Sequence, residues 1–414
     1  MGGEVCRTQA MGLVADGQGS LPIGALREHV RPMRIALVHN KHAYTGGIEA
    51  YLNNLARHLA GEGHEVTIVC RSHEEPPHPA VRFAVLRPFH IGGAWKMWAF
   101  AQAVEAHVTA VHYDVVYGLG KTWSHDVIRL GGGCHQTFLD QAGEAERRFL
   151  HPPGGGWLKN RTSLAIERRA LKPGAYHRVI TNAEMVKRDV MARHGVPAEM
   201  VTVIHNGVDP ERFHPRHREE GGADLRRSCG FTPAHQVVLF LGSGYARKGL
   251  DRVIDAFPAV LAKRPLARLL VVGYDSAWER YEARAKSLGL TNAAHFLGGR
   301  RDAPVCYGAG DLYVLPTRYD PFANSTLEAL ATGLPVITSD ANGGSEVMTP
   351  GEHGLVLPLT AATETLADAM VAWTDPDRLH SVRADVRACA ERHDLRGKMD
   401  AATVVLKAAA AGMS

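Results

Sequence analysis

The chain is poor in cysteine and has no long apolar run. Its 414 residues include 6 cysteines. These are widely spaced and form no C-x-x-C pair, which argues against a disulfide framework and against a thiolate zinc site. No apolar run is long enough to span a bilayer, and residues 1–32 hold no signal-peptide core. We therefore expect a cytoplasmic protein whose membrane contact, at the inner membrane, is peripheral. Residues 1–32 are predicted to be a flexible leader or a misassigned start.

A strong charge imbalance and a dinucleotide fingerprint are also missing. The formal net charge is +4, from 47 Lys and Arg against 43 Asp and Glu, which is too small to indicate a nucleic-acid partner. No G-x-G-x-x-G stands in the first strand-to-helix loop, which argues against a nicotinamide dinucleotide. The hydrophobic fraction of 45% and the charged fraction of 22% are typical of folded globular proteins.

Short apolar runs recur along the chain from residue 34 onward. They are rich in Val, Ile and Leu without strict alternation, which is typical of strands covered on both faces. Amphipathic segments between them predict helices. We therefore expect an α/β fold of two Rossmann-like, doubly wound domains that face a cleft. The predicted strands are 34–39, 65–70, 114–117, 127–130, 178–181, 201–204, 237–241, 268–272, 294–297, 311–315, 335–338 and 354–357.

The series of strands restarts after a polar, turn-rich segment. We predict a first domain over 33–210, a linker over 211–235 and a second domain over 236–390. A final helix within 391–414 is predicted to cross back to the first domain. Ligands of such sheets bind beyond the carboxyl ends of the strands, so the loops that follow strands are the candidate sites.

Two of these loops combine glycine with a helix start. Gly46 and Gly47 open a predicted helix, where free amides can approach an anion; a tight turn without a ligand is the alternative. The loop 242–249 adds cations to small residues, and we predict that it cradles a diphosphate. Its candidate residues are Gly242, Ser243, Arg247 and Lys248.

Two acids follow the predicted strand 311–315. Asp320 and Glu328 are separated by seven residues, and the second lies one turn inside a predicted helix. One acid can hold sugar hydroxyls and the other a ribose diol, while free amides at the helix start meet a phosphate. The residues at that start are Asn324, Ser325 and Thr326.

Three further residues are candidates. Arg300 follows the predicted strand 294–297, where its guanidinium can lie against a nucleobase or a phosphate. His125 and Asp126 are expected to face the cleft, where either can orient a sugar or accept a proton; an ordinary loop histidine is the alternative. The only Asp-x-Asp triplet, Asp375-Pro376-Asp377, is predicted to cap a helix. We therefore expect no metal site and metal-independent activity.

These loops, in this order and at these spacings, resemble the retaining GT-B glycosyltransferases of family 4. The strings that carry the resemblance are Arg247-Lys248-Gly249, the two acids, and Gly333-Leu334-Pro335-Val336. Within the family, the second half is similar to the lipopolysaccharide core glucosyltransferases. The resemblance implies that the first domain binds the acceptor and that the second binds a nucleotide sugar, with UDP-glucose as the expected donor and no separate cofactor.

The resemblance also implies roles for the candidate residues. Glu328 would bind the ribose and Asp320 the sugar hydroxyls, while Arg247 and Lys248 would bind the diphosphate and Arg300 would lie near the uridine. The sequence departs from the family pattern in three ways. The first acid is Asp320 where glutamate is usual, Ala323-Asn324 replaces a small glycine-containing pair, and His205 stands where proline is common. The first two changes touch sugar contacts, so they bear on the donor sugar.

Positive charge is concentrated in the segment 147–172. Its cations, interleaved with apolar residues, suit an anionic membrane surface or an acidic glycolipid acceptor; a solvated helix face is the alternative. The residues are Arg147, Arg148, Trp157, Leu158, Lys159, Arg161, Leu164, Ile166, Arg168, Arg169 and Lys172.

Three other functions stay open at the level of sequence. A nucleotide-sugar epimerase can use the same two-domain frame. A glycogen- or starch-type synthase shares the fold and the paired acids, although its basic glycine loop usually lies near the amino terminus. A non-catalytic nucleotide-binding module would not need both acids and both cations.

Overall fold

The protein is built on two parallel sheets that follow one another along the chain. The computed structural model describes residues 31–44, 46–141 and 156–412. The first sheet has seven strands in the order β3-β2-β1-β4-β5-β6-β7, and the second has six in the order β10-β9-β8-β11-β12-β13. All pairs of these strands are parallel. The predicted α/β class with parallel sheets is confirmed.

The strands and helices alternate as expected for doubly wound sheets. The strands are β1 (Arg34–Val38), β2 (Glu65–Cys70), β3 (Arg82–Val85), β4 (Val115–Gly118), β5 (Val127–Leu130), β6 (Arg178–Thr181), β7 (Val201–Val203), β8 (Gln236–Leu241), β9 (Ala267–Val272), β10 (Ala294–Phe296), β11 (Leu312–Leu315), β12 (Val336–Ser339) and β13 (Gly354–Leu357). The helices are α1 (Gly47–Gly61), α2 (Gly92–Ala110), α3 (His135–Gln141), α4 (Gly156–Ala170), α5 (Glu184–His194), α6 (Gly222–Ser228), α7 (Tyr245–Lys248), α8 (Leu250–Lys263), α9 (Trp278–Ser287), α10 (Ala303–Ala309), α11 (Asn324–Ala331), α12 (Thr363–Trp373), α13 (Pro376–Glu391) and α14 (Leu395–Ala410).

The central strands are buried on both faces, whereas the edge strand β3 is not. All four residues of β4 and of β11 are buried, which explains their continuous apolar sequence. β3 pairs only with β2 and is half exposed. The strand β3 is short and begins with Arg82, so it does not form a continuous apolar run. For this reason the sequence did not predict it.

The predicted linker, 211–235, contains α6 and is attached to the second sheet through a buried acid. Asp311 precedes β11 and pairs with Arg218, Arg226 and Arg383, at 2.5, 3.1 and 3.1 Å. Burial alone would raise the pKa of Asp311, but the charges of these arginines outweigh it and hold the pKa below its ordinary value.

The last helix, α14, lies against α1 and β4 of the first domain. Met399, Ala402 and Leu406 are buried there in the same apolar cluster as Ile35 and Leu52. Chain segments from both ends of the sequence therefore build one core.

The two domains also meet near the ligand edge of their sheets. The carboxylate of Glu346, from the second domain, accepts hydrogen bonds from the backbone amides of Glu184 and Met185 at 2.6 and 2.8 Å. It also lies 3.0 Å from Nε2 of His205. These contacts fix the first turn of α5 to the second domain.

Candidate active site

The basic loop after β8 is shaped by a glycine that no other residue can replace without strain. α7 is a single turn that ends at Gly249, whose φ of 79° lies in the left-handed region. A Cβ at this position would lie 2.2 Å from the carbonyl oxygen of Pro316. Gly249 thus ends α7 and starts α8, and the turn before it presents Arg247 and Lys248 at the carboxyl end of β8.

Both cations bind one carboxylate. Nη1 of Arg247 donates to Oδ2 of Asp320 at 2.8 Å and to the carbonyl of Tyr319 at 3.1 Å. Nζ of Lys248 donates to the same Oδ2 atom. Lys248 and Asp320 are both buried. Burial opposes ionisation of Asp320, but the two cations outweigh it and hold the pKa of the carboxyl below its usual range.

The second acid, Glu328, lies beside this cluster on α11. Its Oε2 accepts a hydrogen bond from the hydroxyl of Tyr307 at 2.8 Å, and its charge interacts with those of Arg212 and Lys248. Burial raises the pKa of Glu328 above its ordinary value. The structure therefore brings Arg247, Lys248, Asp320 and Glu328 together.

The amino end of α11 meets the first domain. Asn324 Oδ1 accepts a hydrogen bond from Asn206 Nδ2 at 2.5 Å, and Oδ1 of Asn206 accepts one from Arg129 at 2.6 Å. A Cβ on Gly47 would lie 3.7 Å from Nδ2 of Asn324. The amide ends of α1 and α11 thus lie close together, and both have backbone N–H groups without helical partners.

The predicted residues at the start of α11 differ in what holds them. Ser325 lies in its first turn, and its carbonyl is 3.3 Å from the hydroxyl of Tyr307. Thr326 is buried, and its hydroxyl accepts from Nδ2 of Asn342 at 2.9 Å. The Thr326 side chain therefore stabilises the loop through this buried hydrogen bond. At this position only the backbone N–H group can bind an anion.

Gly46 needs its lack of a side chain for the turn into α1. Its φ is 113°, a conformation that L side chains rarely adopt. A Cβ there would lie 2.1 Å from a carboxylate oxygen of Glu49. The loop that carries Gly46 and Gly47 is therefore fixed by its own first turn, where Glu49 lies 3.7 Å from Nε2 of His39.

The other predicted donor residues differ in what they contact. Gly242 packs along the Lys248 stem, since a Cβ there would lie 3.5 Å from Lys248 Cγ. Ser243 accepts from the amide of Tyr274 at 3.1 Å. Arg300 lies after β10 and forms a two-pronged ion pair with Asp302, at 2.9 and 2.5 Å.

The expectation that His125 and Asp126 face the cleft is not met. Asp126 precedes the amino end of β5, and its carboxylate accepts a hydrogen bond from the amide of Val116 at 2.7 Å. Ligands approach the opposite, carboxyl ends of the strands. His125 is buried with Nε2 3.3 Å from the Ala170 carbonyl, and burial lowers its pKa to about 4. These contacts give both side chains a structural role.

Within the described residues, two groups of side chains have the spacing of metal ligands. Cys134, Glu167 and His194 form one group, and His58, Glu62 and Asp400 form the other. Glu167 already accepts hydrogen bonds from the His135 amide, at 3.2 and 3.0 Å. The Asp375 carboxylate of the Asp-x-Asp triplet caps α13 by accepting from the amides of Asp377 and Arg378. The prediction that this triplet is a helix cap is confirmed.

Three residues of the site were not predicted from the sequence. Tyr307 holds Glu328, Asn206 holds Asn324, and Asn342 accepts from the amide of Ala323 at 3.1 Å. Asn206 directly follows His205, which stands at a family position where proline is common, so a signal for it was present. Tyr307 reaches the site from α10 and Asn342 from the segment after β12, and neither has a local signal in the sequence.

An open cavity of about 300 Å³ adjoins Glu328 and the amino end of α11. It lies between α1 and the segment that follows β7, with Tyr44, Arg57 and Arg212 among the residues that line it. A polar ligand that contacts Glu328 can therefore extend toward the first domain.

The segment 147–172 is only partly covered, because Arg147 and Arg148 lie outside the described residues. In the remainder, Trp157 and Leu158 are exposed at the start of α4, while Ile166 is buried. The guanidinium of Arg161 lies 4.5 Å from the centre of the Trp157 ring. None of the helices described is both long and apolar enough to cross a bilayer.

Comparison with known proteins agrees with this geometry. Residues 45–212 match the model of Glycosyltransferase Family 4, and residues 235–375 match that of Glycosyl transferases group 1. The chain is 24% identical over 374 residues to the lipopolysaccharide glucosyltransferase WaaG of Escherichia coli, covering 87% of this chain and 97% of that protein.

Two solved structures share the fold. A crystal structure of WaaG superposes with a TM-score of 0.75 at 23% identity, covering 90% of this chain and 99% of that one. The Anabaena protein HepE, crystallised with UDP-glucose, superposes with a TM-score of 0.68 at 19% identity, covering 91% of this chain and 100% of that one. The expected fold of two Rossmann-like domains is confirmed.

Proposed function

The chain is a GT-B glycosyltransferase of family 4, and we propose that it moves a hexose from UDP-glucose to a saccharide acceptor, with retention at the anomeric carbon. The acceptor class that we favour is a lipopolysaccharide core oligosaccharide. The observation that carries the proposal is the convergence of two cations and two acids at the carboxyl edge of the second sheet.

Each group of this cluster has a chemical task in the proposed reaction. Arg247 and Lys248 bind the diphosphate and stabilise the negative charge that grows on it as the bond to the sugar breaks. The amide ends of α1 and α11 add to that field. An arriving diphosphate competes with Asp320 for the two cations, which frees carboxylate oxygens of Asp320 for sugar hydroxyls. Glu328, held by Tyr307, accepts hydrogen bonds from the ribose diol.

The proposed reaction proceeds without a covalent enzyme intermediate. The acceptor hydroxyl attacks the anomeric carbon on the face from which the diphosphate departs, and its proton passes to an oxygen of the departing diphosphate. A new glycosidic bond and UDP are the products. The side chains of His125 and Asp126 are engaged in contacts within the first domain. The proposed route uses neither of them as a base.

The relatives support the choice of donor. WaaG is a lipopolysaccharide glucosyltransferase, and HepE was crystallised with UDP-glucose. Fixed cations and helix amides can stabilise the departing diphosphate without a metal ion, and we therefore propose metal-independent transfer.

A panel of nucleotide sugars tests the proposal. We expect UDP-glucose to raise the melting temperature, because a ligand that binds only the folded state stabilises it by mass action. We also expect release of UDP that accelerates when core oligosaccharide is added, and that persists in EDTA. Epimerised nucleotide sugar in the absence of acceptor would support the epimerase alternative. Complete loss of transfer in EDTA, with recovery on adding Mn²⁺, would contradict metal independence.

We also infer peripheral contact between α4 and an anionic membrane surface. The exposed Trp157 and Leu158 stand beside Lys159 and Arg161, and this combination suits shallow insertion with electrostatic attraction. Sedimentation with vesicles of phosphatidylglycerol at low salt tests it. We expect the vesicles to retain the wild type and to retain less of a Trp157→Ser variant. A wild type that does not sediment with the vesicles would contradict the inference.

A further inference from the structure

A second cavity, of about 450 Å³, is lined by residues that follow β1, β2 and β3. Four of its lining residues are cations, namely Lys41, Arg71, Arg87 and Lys96, and none of the described residues that line it is acidic. We call it the cationic cavity. It belongs to the first domain, on the side of the sheet that ends in β3.

The topology of the first sheet brings these cations together. Lys41, Arg71 and Arg87 follow the carboxyl ends of β1, β2 and β3, which are neighbours in the sheet. The backbone continues the pairing past the strands, since the amide of Arg71 donates to the carbonyl of Asn40 at 3.0 Å. The cationic cavity therefore lies at the edge where parallel sheets bind their ligands.

The cations of the cavity have no close counter-ions among the described residues. In the part of the chain that the structure covers, none of the four forms an ion pair with a carboxylate. Nη1 of Arg71 is buried without a hydrogen-bond partner there, and Nη2 lies 3.3 Å from Nδ1 of His90. Buried polar atoms are usually hydrogen-bonded, so this unsatisfied guanidinium nitrogen, on a residue that lines a concave basic site, favours an anionic ligand.

The shape and chemistry favour a phosphate next to a ring. A guanidinium fork and several ammonium groups suit the oxygens of a phosphate. At the rim, Phe89 is 76% exposed and Trp95 is 47% exposed. Their rings pack edge to face, with ring centres 5.9 Å apart. Aromatic faces beside convergent polar groups are typical of binding sites for small molecules.

We propose that the cationic cavity binds a phosphate group carried by the acceptor saccharide, so that the enzyme selects phosphorylated acceptors over neutral ones. This proposal rests on the proposed function, because it supplies the acceptor for that reaction. Five residues separate Lys41 from Gly47, so the two lie within about 20 Å even along a fully extended chain. Gly47 lies beside the donor helix α11, and a short oligosaccharide can bridge the two sites.

Calorimetric titration of glucose 6-phosphate into the full chain saturated with UDP tests the proposal, because UDP fills the diphosphate site of the second domain. The variants are Arg71→Gln and Arg87→Gln. The matched control is Arg82→Gln, which removes the same charge at the other end of β3. We expect affinity to fall about tenfold in Arg71→Gln and severalfold in Arg87→Gln, with no change in Arg82→Gln. Glucose should give no heat.

The outcomes separate this proposal from the proposed function. Equal affinity of glucose 6-phosphate for the wild type and Arg87→Gln would overturn the proposal, and this surface variant decides the matter if Arg71→Gln does not fold. Wild type that fails to bind UDP would instead contradict the proposed function, and the same titrations without UDP would still test the cavity. Binding of phosphatidylglycerol vesicles that is lost in Arg87→Gln, without binding of glucose 6-phosphate, would assign the cavity to lipid and overturn the proposal.

Discussion

The two sheets present cations at their ligand edges in opposite ways. At the edge of the second sheet, Arg247 and Lys248 share the buried carboxylate of Asp320. In the cationic cavity of the first sheet, Arg71 stands among other cations and has a buried nitrogen that no described residue hydrogen-bonds. The first arrangement is neutralised from within the chain, whereas the second leaves its positive charge for a ligand.

The charges of the two sites therefore depend on a ligand to different degrees. Removing one member of a buried pair of opposite charges leaves the other uncompensated, so the proposed donor site is held in place before any ligand arrives. The cations of the cationic cavity repel one another until an anion enters. We therefore expect substitutions at the donor edge to affect folding and catalysis, and those in the cationic cavity to affect ligand choice.

The largest expected effect comes from removing the internal counter-ion. In Asp320→Asn, two cations lose their carboxylate, and we expect unfolding free energy to fall by about 3–5 kcal/mol. Asp368→Asn is the matched control, since Asp368 and its partner Lys263 are largely exposed, and its loss should stay below about 1 kcal/mol. Urea unfolding measures both. Equal losses in the two variants would mean that the buried carboxylate of Asp320 contributes no more to stability than an exposed one.

Removing a cation while keeping the acid tests catalysis at the same edge. Lys248→Met should lower kcat by roughly 10²–10³-fold, the usual consequence of losing a fixed group that stabilises developing charge. Steady-state release of UDP from UDP-glucose with core oligosaccharide measures it. Lys263→Met, which removes an exposed cation, should leave kcat unchanged. An unchanged kcat in Lys248→Met would remove this residue from the proposed mechanism.

The two acids should respond differently to pH. Because burial raises the pKa of Glu328, this side chain loses its charge at a higher pH than an ordinary glutamate as the solution is acidified. The lowered pKa of Asp320 keeps its charge in the same range. We expect UDP affinity to fall about tenfold on acidification. Glu328→Gln should bind UDP weakly and show a flat profile; titration calorimetry across pH follows both, and a wild-type profile in the variant would speak against the assignment.

The smallest expected effect completes the comparison. Arg71→Gln removes a cation that forms no ion pair with any described residue, so the unfolding free energy should change by less than about 1 kcal/mol. Urea unfolding of this variant beside Asp320→Asn gives the contrast directly. A loss as large as that of Asp320→Asn would show that Arg71 serves the fold of the first domain.

The sequence predicted those parts of the fold and site that depend on local pattern. Continuous apolar runs gave the buried strands, and the glycine and cation pattern after β8 gave the loop that holds Lys248. The placement of Asp126 was wrong because the pattern of residues 121–126 does not show where the loop after β4 ends and β5 begins. Tyr307 reaches Glu328 from another helix, and such long-range partners are set by packing between elements, which a linear pattern does not contain.

The helix α14 has a consequence for the order in which the chain acquires its structure. Met399 and Leu406 lie in the same buried cluster as Ile35. During synthesis, the second sheet can assemble while these residues are still within the ribosome, but the first core must wait for them. The half of the protein that is made first is therefore completed last.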